Sequence, residues 1–164
     1  MANKLELTWY GKDEPIRVEP RLLIENAALS NTAADPDTEN MLIHGDNLLA
    51  LKALESKYAG QVKCIYIDPP YNTGAWDWKY NNDYVDGSDA YRHSKWLSFM
   101  EKRLKLAKKL LNPKDSVLIV TIDEKEYLHL GCLLEEMFSE ANIQMVSSNI
   151  SRKGASRMNS FTRV

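Results

Sequence analysis

The feature that most constrains this chain is an apolar run that stops on a carboxylate and two prolines. Val62-Lys63-Cys64-Ile65-Tyr66-Ile67 is nearly continuous in its apolar character. That pattern predicts a strand of a parallel sheet with both faces covered. The next residues are Asp68-Pro69-Pro70-Tyr71. The prolines remove two backbone donors and stiffen the exit from the strand.

The segments around this run keep the same rhythm. Met41-Leu42-Ile43-His44 reads as a short strand, and residues 47–58 as a helix with Leu48, Leu51, Leu54 and Tyr58 on one face. Residues 94–111 form an amphipathic pattern, with Trp96, Met100, Leu104, Ala107 and Leu111 at spacings of three or four. Pro113 follows its end. Residues 117–122 read as a second buried strand, 127–138 as a helix, and 143–150 as a further strand. Strands alternating with helices predict an open α/β sheet. Residues 68–89 are long and polar and read as a functional loop. Residues 1–40 read as an N-terminal arm, with a short helix over 21–25 and a loop over 30–40. They precede a catalytic half over 41–164.

The bulk properties exclude several classes. At 164 residues the chain can bury one core. It shows no membrane-length apolar run and no signal-peptide pattern, so a cytoplasmic protein without a membrane partner is expected. Cys64 and Cys132 form no Cys-x-x-Cys, so neither a metal site nor a disulfide frame is indicated. The net charge of −2 argues against a highly basic nucleic-acid coat, while leaving room for a local basic patch. The seven glycines make no Gly-x-Gly. That excludes the dinucleotide-binding fingerprint and the P-loop.

In open α/β sheets, ligands bind beyond the carboxyl ends of the strands. Asp46, Asp68 and Asp123 all fall at such ends. Asp46 and Asp123 suit capping of the next helix as well as they suit function. Asp68 differs because of its sequel. Its side chain and the nearby carbonyls offer acceptors with few competing N–H groups, which suits an exocyclic amino group. Tyr71 adds a flat ring on which a base can stack. The competing reading is a rigid turn with a core tyrosine. The scattered His44, His93 and His129 read as structural or surface residues. Lys102, Arg103, Lys105, Lys108 and Lys109 read as a solvated helix face. Arg152, Lys153, Arg157 and Arg163 suit phosphate contact or a disordered end.

Asp68-Pro69-Pro70-Tyr71 resembles the motif of the amino-methyltransferases. The longer run Tyr66-Ile67-Asp68-Pro69-Pro70-Tyr71-Asn72-Thr73-Gly74 is similar to the modification (Mod) subunits of type III restriction-modification systems. Leu7-Thr8-Trp9-Tyr10-Gly11-Lys12 and His44-Gly45-Asp46-Asn47-Leu48 extend the likeness, as does the segment Tyr91-Arg92-His93-Ser94-Lys95-Trp96-Leu97-Ser98-Phe99-Met100. Asn149-Ile150 and Lys153-Gly154-Ala155 carry it towards the end of the chain.

The resemblance implies a Rossmann-like methyltransferase sheet with helices on both faces. It implies S-adenosyl-L-methionine as cofactor and double-stranded DNA as substrate, with the target adenine flipped out. Asp68 and the Pro69 carbonyl would accept from the adenine N6 amino group, Pro70 would stiffen the turn, and Tyr71 would stack on the base. Asp46 would lie by the cofactor. A second Mod subunit and a restriction (Res) subunit are the implied protein partners. The family order places the target-recognition region and a Phe-x-Gly-x-Gly cofactor loop after the Asp-Pro-Pro-Tyr half. This sequence contains neither, so the chain is expected to be inactive alone. The alternatives are a non-catalytic module that binds a full-length methyltransferase or a restriction partner, and an enzyme acting on another amino group.

Overall fold

The computed structural model describes residues 6–15, 17–33, 35–73, 79–80, 83–84 and 90–148. The elements run α1 (Asn47–Tyr58), β1 (Cys64–Ile67), β2 (Lys79–Tyr80), β3 (Asp83–Tyr84), α2 (Arg92–Leu110), β4 (Val117–Val120) and α3 (Tyr127–Met137). β1 and β4 pair in parallel, with Cys64 opposite Val117 and Ile67 opposite Val120. β2 and β3 form a small antiparallel hairpin. The result is a small α/β fold, as the alternation predicts.

Local chemistry sets the boundaries. Asp46 caps α1, its Oδ1 accepting from the amides of Leu48 at 3.0 Å and Leu49 at 3.1 Å. Gly60, at φ 69°, turns the chain after α1 in a conformation that glycine adopts without steric cost. Its amide then donates to Lys109 O at 2.9 Å, and Val62 N donates to Leu110 O at 3.0 Å. The entry to β1 is thus laced to the end of α2. α2 stops where Leu111 turns extended, two residues before Pro113.

The core lies between the β1/β4 sheet and the α2–α3 pair. Trp96, Met100 and Leu104, one turn apart along α2, meet Leu130 and Leu133 of α3, and all five are buried. Ile67, Leu118, Val120 and Ile122 pack against this cluster from the sheet side. Trp9 joins it from the N-terminal segment, its indole N–H donating to Ser98 Oγ at 2.9 Å. Lys12 pairs with Glu136 at 2.7 Å and so ties the same segment to α3.

Several expectations need correction. The apolar runs predict cover on both faces of the strands, yet only alternate residues are sheltered. Tyr66, Val117 and Ile119 stand exposed on the other face. α2 and α3 close one face, α1 leans on α2, and no described helix covers the second. Met41-Leu42-Ile43-His44 forms no strand among the described residues, and Leu42 is wholly exposed. An apolar run becomes a strand only where a neighbour offers a ladder. Residues 21–25 form no helix, with Leu22 and Ile24 exposed, because so short a turn cannot offset helix nucleation without packing. Residues 143–148 are unpaired, and 149–164, with the basic tail, lie outside the described residues. The polar segment 68–89 contains the β2–β3 hairpin.

Candidate active site

The Asp68-Pro69-Pro70-Tyr71 turn begins where β1 ends. The parallel ladder runs one step past the strands, with Thr121 N donating to Ile67 O at 3.0 Å. That step brings the Thr121 hydroxyl over Asp68, where it donates to Oδ1 at 2.5 Å. The Tyr71 hydroxyl donates to the same oxygen at 3.0 Å. Asp68 itself is exposed, Pro69 is buried, and Tyr71 is half-buried. The ring of Tyr71 is therefore anchored through its hydroxyl, with part of its surface open.

The Tyr71 phenol is shifted by opposing causes. The Thr121 hydroxyl lowers its pKa, but burial and the hydrogen bond and charge of Asp68 together outweigh this and raise it. The phenol stays protonated and remains a donor to Asp68 across the neutral range.

Two further ties fix the turn from behind. Trp96, in the first turns of α2, donates its indole N–H to Pro70 O at 2.7 Å. Asn72 is 2% exposed and takes a left-handed backbone with φ 56°. Its amide group donates to Glu126 Oε1 and to Arg92 O, the latter at 3.4 Å. Glu126 is the fully buried N-cap of α3. Its Oε1 also meets His93 Nδ1 at 2.6 Å, and its Oε2 meets His129 Nδ1 at 2.8 Å.

The structure thus joins Asp68 and Tyr71 directly and holds Pro70 through Trp96. Asp46 serves as the α1 cap, with Oδ1 engaged there. Asp123 is buried, and its Oδ1 accepts from Lys125 N at 2.9 Å, which shapes the turn into α3. Among the α2 lysines, Lys105 pairs with Glu101 at 2.7 Å and Lys109 with Glu55 at 2.9 Å. The histidines, read as scattered in the sequence, include two that converge on one carboxylate. Glu126 was missed, and Asn72 was read only as part of the longer run after the motif, with no role. The available signal was the spacing Glu126-x-x-His129 at a helix start, which puts both side chains on one face.

This geometry is an acceptor-rich turn beside an open aromatic ring at a strand's carboxyl end. Residues 62–163 match the sequence profile of the DNA methylase family that acts on N6 and N4 amino groups. The chain belongs to that family. Over 104 residues it is 45% identical to the probable type III restriction-modification enzyme HindVI Mod subunit of Haemophilus influenzae, covering 63% of this chain and 13% of that protein. Over 163 residues it is 34% identical to the type III EcoPI Mod subunit of Escherichia phage P1, covering 83% of this chain and 25% of that protein. The type II methyltransferase M.KpnI of Klebsiella pneumoniae is 35% identical over 116 residues, covering 70% of this chain and 27% of that protein. The chain is thus a segment of a DNA methylase domain of the type III Mod kind. It spans about a quarter or less of the Mod subunits it matches. No described helix is long and apolar enough to cross a membrane.

Proposed function

We propose that this DNA methylase segment grips the target adenine of an S-adenosyl-L-methionine-dependent N6 methyltransferase, within a Rossmann-like sheet completed by other parts of the domain. The observation that carries the reading is the Asp68–Tyr71 turn itself. Thr121 and Tyr71 both donate to Oδ1 of Asp68, so the carboxylate is held while the residue stays exposed. Its Oδ2 is the oxygen a substrate amino group would take. Trp96 engages the Pro70 carbonyl, which leaves the acceptor role to the Pro69 carbonyl.

Adenine N6 carries two N–H donors, and this pair of acceptors suits them. Accepting from both hydrogens pushes electron density onto N6 and turns its lone pair away from the acceptors. The ring of Tyr71, fixed through its hydroxyl, supplies a stacking face worth about 1–3 kcal/mol. Bound cofactor supplies an already activated methyl group, so the protein's work is mainly positioning. The described residues fit that cofactor in part. Asp46 is exposed and can still accept from an amino or hydroxyl group, while the chain offers no Gly-x-Gly to hold a methionine end. Double-stranded DNA, a second Mod subunit and a Res subunit are the proposed partners, in a cytoplasmic assembly.

The test is the identity of the product base. A complete methyltransferase carrying this segment, incubated with plasmid DNA and labelled cofactor, should yield N6-methyladenine on nucleoside analysis. N4-methylcytosine as the product would overturn the adenine assignment.

A further inference from the structure

We infer that Glu126 is a positioning residue for the Asp68–Tyr71 turn, acting through Asn72; the catalytic half of this inference rests on the base-site reading above. A carboxylate with no exposure is costly unless it is paired and hydrogen-bonded. Glu126 is hydrogen-bonded to three side chains, Asn72, His93 and His129. It also lies at the N-terminus of α3 and beside the first turn of α2, where two helix dipoles favour negative charge. Both oxygens of Glu126 are thus engaged, and a carboxylate held this way rigidifies what it touches, while Asn72 Oδ1 has no partner among the described residues.

What it touches is the residue immediately after the motif. The left-handed backbone of Asn72 is one that most residues resist. Its amide, held by Glu126, fixes that conformation and with it the direction in which Pro70 and Tyr71 leave β1. On the other side of the turn, Trp96 holds Pro70. The turn is therefore clamped between α2 and the start of α3, with Asp68 left exposed. Preorganisation of this kind separates productive from loose geometry in a reaction that depends on positioning.

His93, Glu126 and His129 are also a chemically sensible set for a divalent cation. The neighbouring bond argues against it. Arg92 Nε donates to His93 Nε2 at 3.1 Å, so the ring proton sits on Nδ1, facing Glu126. That nitrogen is a donor to the carboxylate, with no lone pair for a metal.

Hydrogen exchange of tryptophan indoles in this chain gives a direct test. The Trp96 indole N–H is bonded to the turn, while the Trp9 indole N–H is bonded to Ser98 and serves as internal control. Asn72→Gly keeps the left-handed backbone accessible and removes only the side-chain tie. It should speed exchange at Trp96 about tenfold, a factor equivalent to about 1.4 kcal/mol, and leave Trp9 unchanged. Glu126→Leu should do the same if it folds, and Glu126→Gln, which keeps an acceptor for Asn72, should restore most of the protection. Equal acceleration at both indoles, or none at either, would overturn the inference. So would tight Zn2+ uptake by the parent chain that is lost in His129→Ala. In a complete enzyme, Asn72→Gly should lower kcat about tenfold with cofactor KM unchanged. The exchange experiment needs no methyl transfer, so its outcome is separable from failure of the base-site reading.

Discussion

α2 meets its two helical neighbours by different means. Towards α3 it presents Trp96, Met100 and Leu104, which close with Leu130 and Leu133 into a dry cluster. Towards α1 it makes polar ties beside leucines of α1 that are only half-buried. Arg103 Nε donates to Asn47 Oδ1 at 2.8 Å, and Lys109 reaches Glu55 at 2.9 Å. No residue of α1 is fully buried. Apolar burial scales with area and tolerates no gap, whereas exposed ion pairs are screened and individually weak. The stable body is therefore the α2–α3 side with the sheet, and the Asp68–Tyr71 turn is fastened to that side through Trp96 and Glu126.

Substitutions on the two sides of α2 should separate by size. Leu133→Ala, at a fully buried position of α3, should destabilise the chain by about 2–5 kcal/mol in urea unfolding, through lost burial and a cavity. A loss below about 1 kcal/mol would mean that this side is less tightly packed than its contacts indicate. Asn47→Ala should cost about 1–3 kcal/mol, because it removes one hydrogen bond from the buried Arg103 guanidinium.

Glu55→Gln should have the smallest effect, below about 1 kcal/mol. Lys52 and then Lys109 hold the Glu55 carboxyl below its ordinary value of 4.5. A depressed pKa stabilises the fold above that ordinary value, and the contribution is lost as pH falls through the depressed one. The difference between parent and Glu55→Gln should accordingly vanish in acid and persist at neutral pH. If Glu55→Gln matched Leu133→Ala, the contrast between the two sides of α2 would collapse.

The sequence was most legible where one element's own pattern decided the outcome. The spacing of Trp96, Met100 and Leu104 located α2 to within two residues at its start and one at its end. β1 and β4 were legible as apolar runs, and each proved slightly shorter than its run. What failed depended on partners. Met41-Leu42-Ile43-His44 has the composition of a strand, yet no described neighbour pairs with it. The unbroken apolar character of Tyr66, Val117 and Ile119 predicted a second covered face, and those residues are exposed here. Composition records which atoms favour burial; it does not name the surface that meets them.

The candidate site divides the same way. Asp68 and Tyr71 were visible because two prolines and an aromatic are informative as neighbours in sequence. Glu126 was legible only through His129, three residues on, because its other partners, Asn72 and His93, lie 54 and 33 residues away. Only the juxtaposition of two loops at the ends of parallel strands brings them together.

The most direct test of the central claim, that Asp68 grips the reacting amino group, is a methyl-transfer assay of Asp68→Ala in a complete enzyme carrying this segment. Loss of the acceptor should reduce the rate at least tenfold, or about 1.4 kcal/mol and more. Cofactor affinity and melting temperature should stay close to the parent's, since Asp68 is exposed and its described partners are the hydroxyls of Thr121 and Tyr71. A variant that kept more than about a tenth of the parent rate, with the same fold and the same cofactor affinity, would contradict the account.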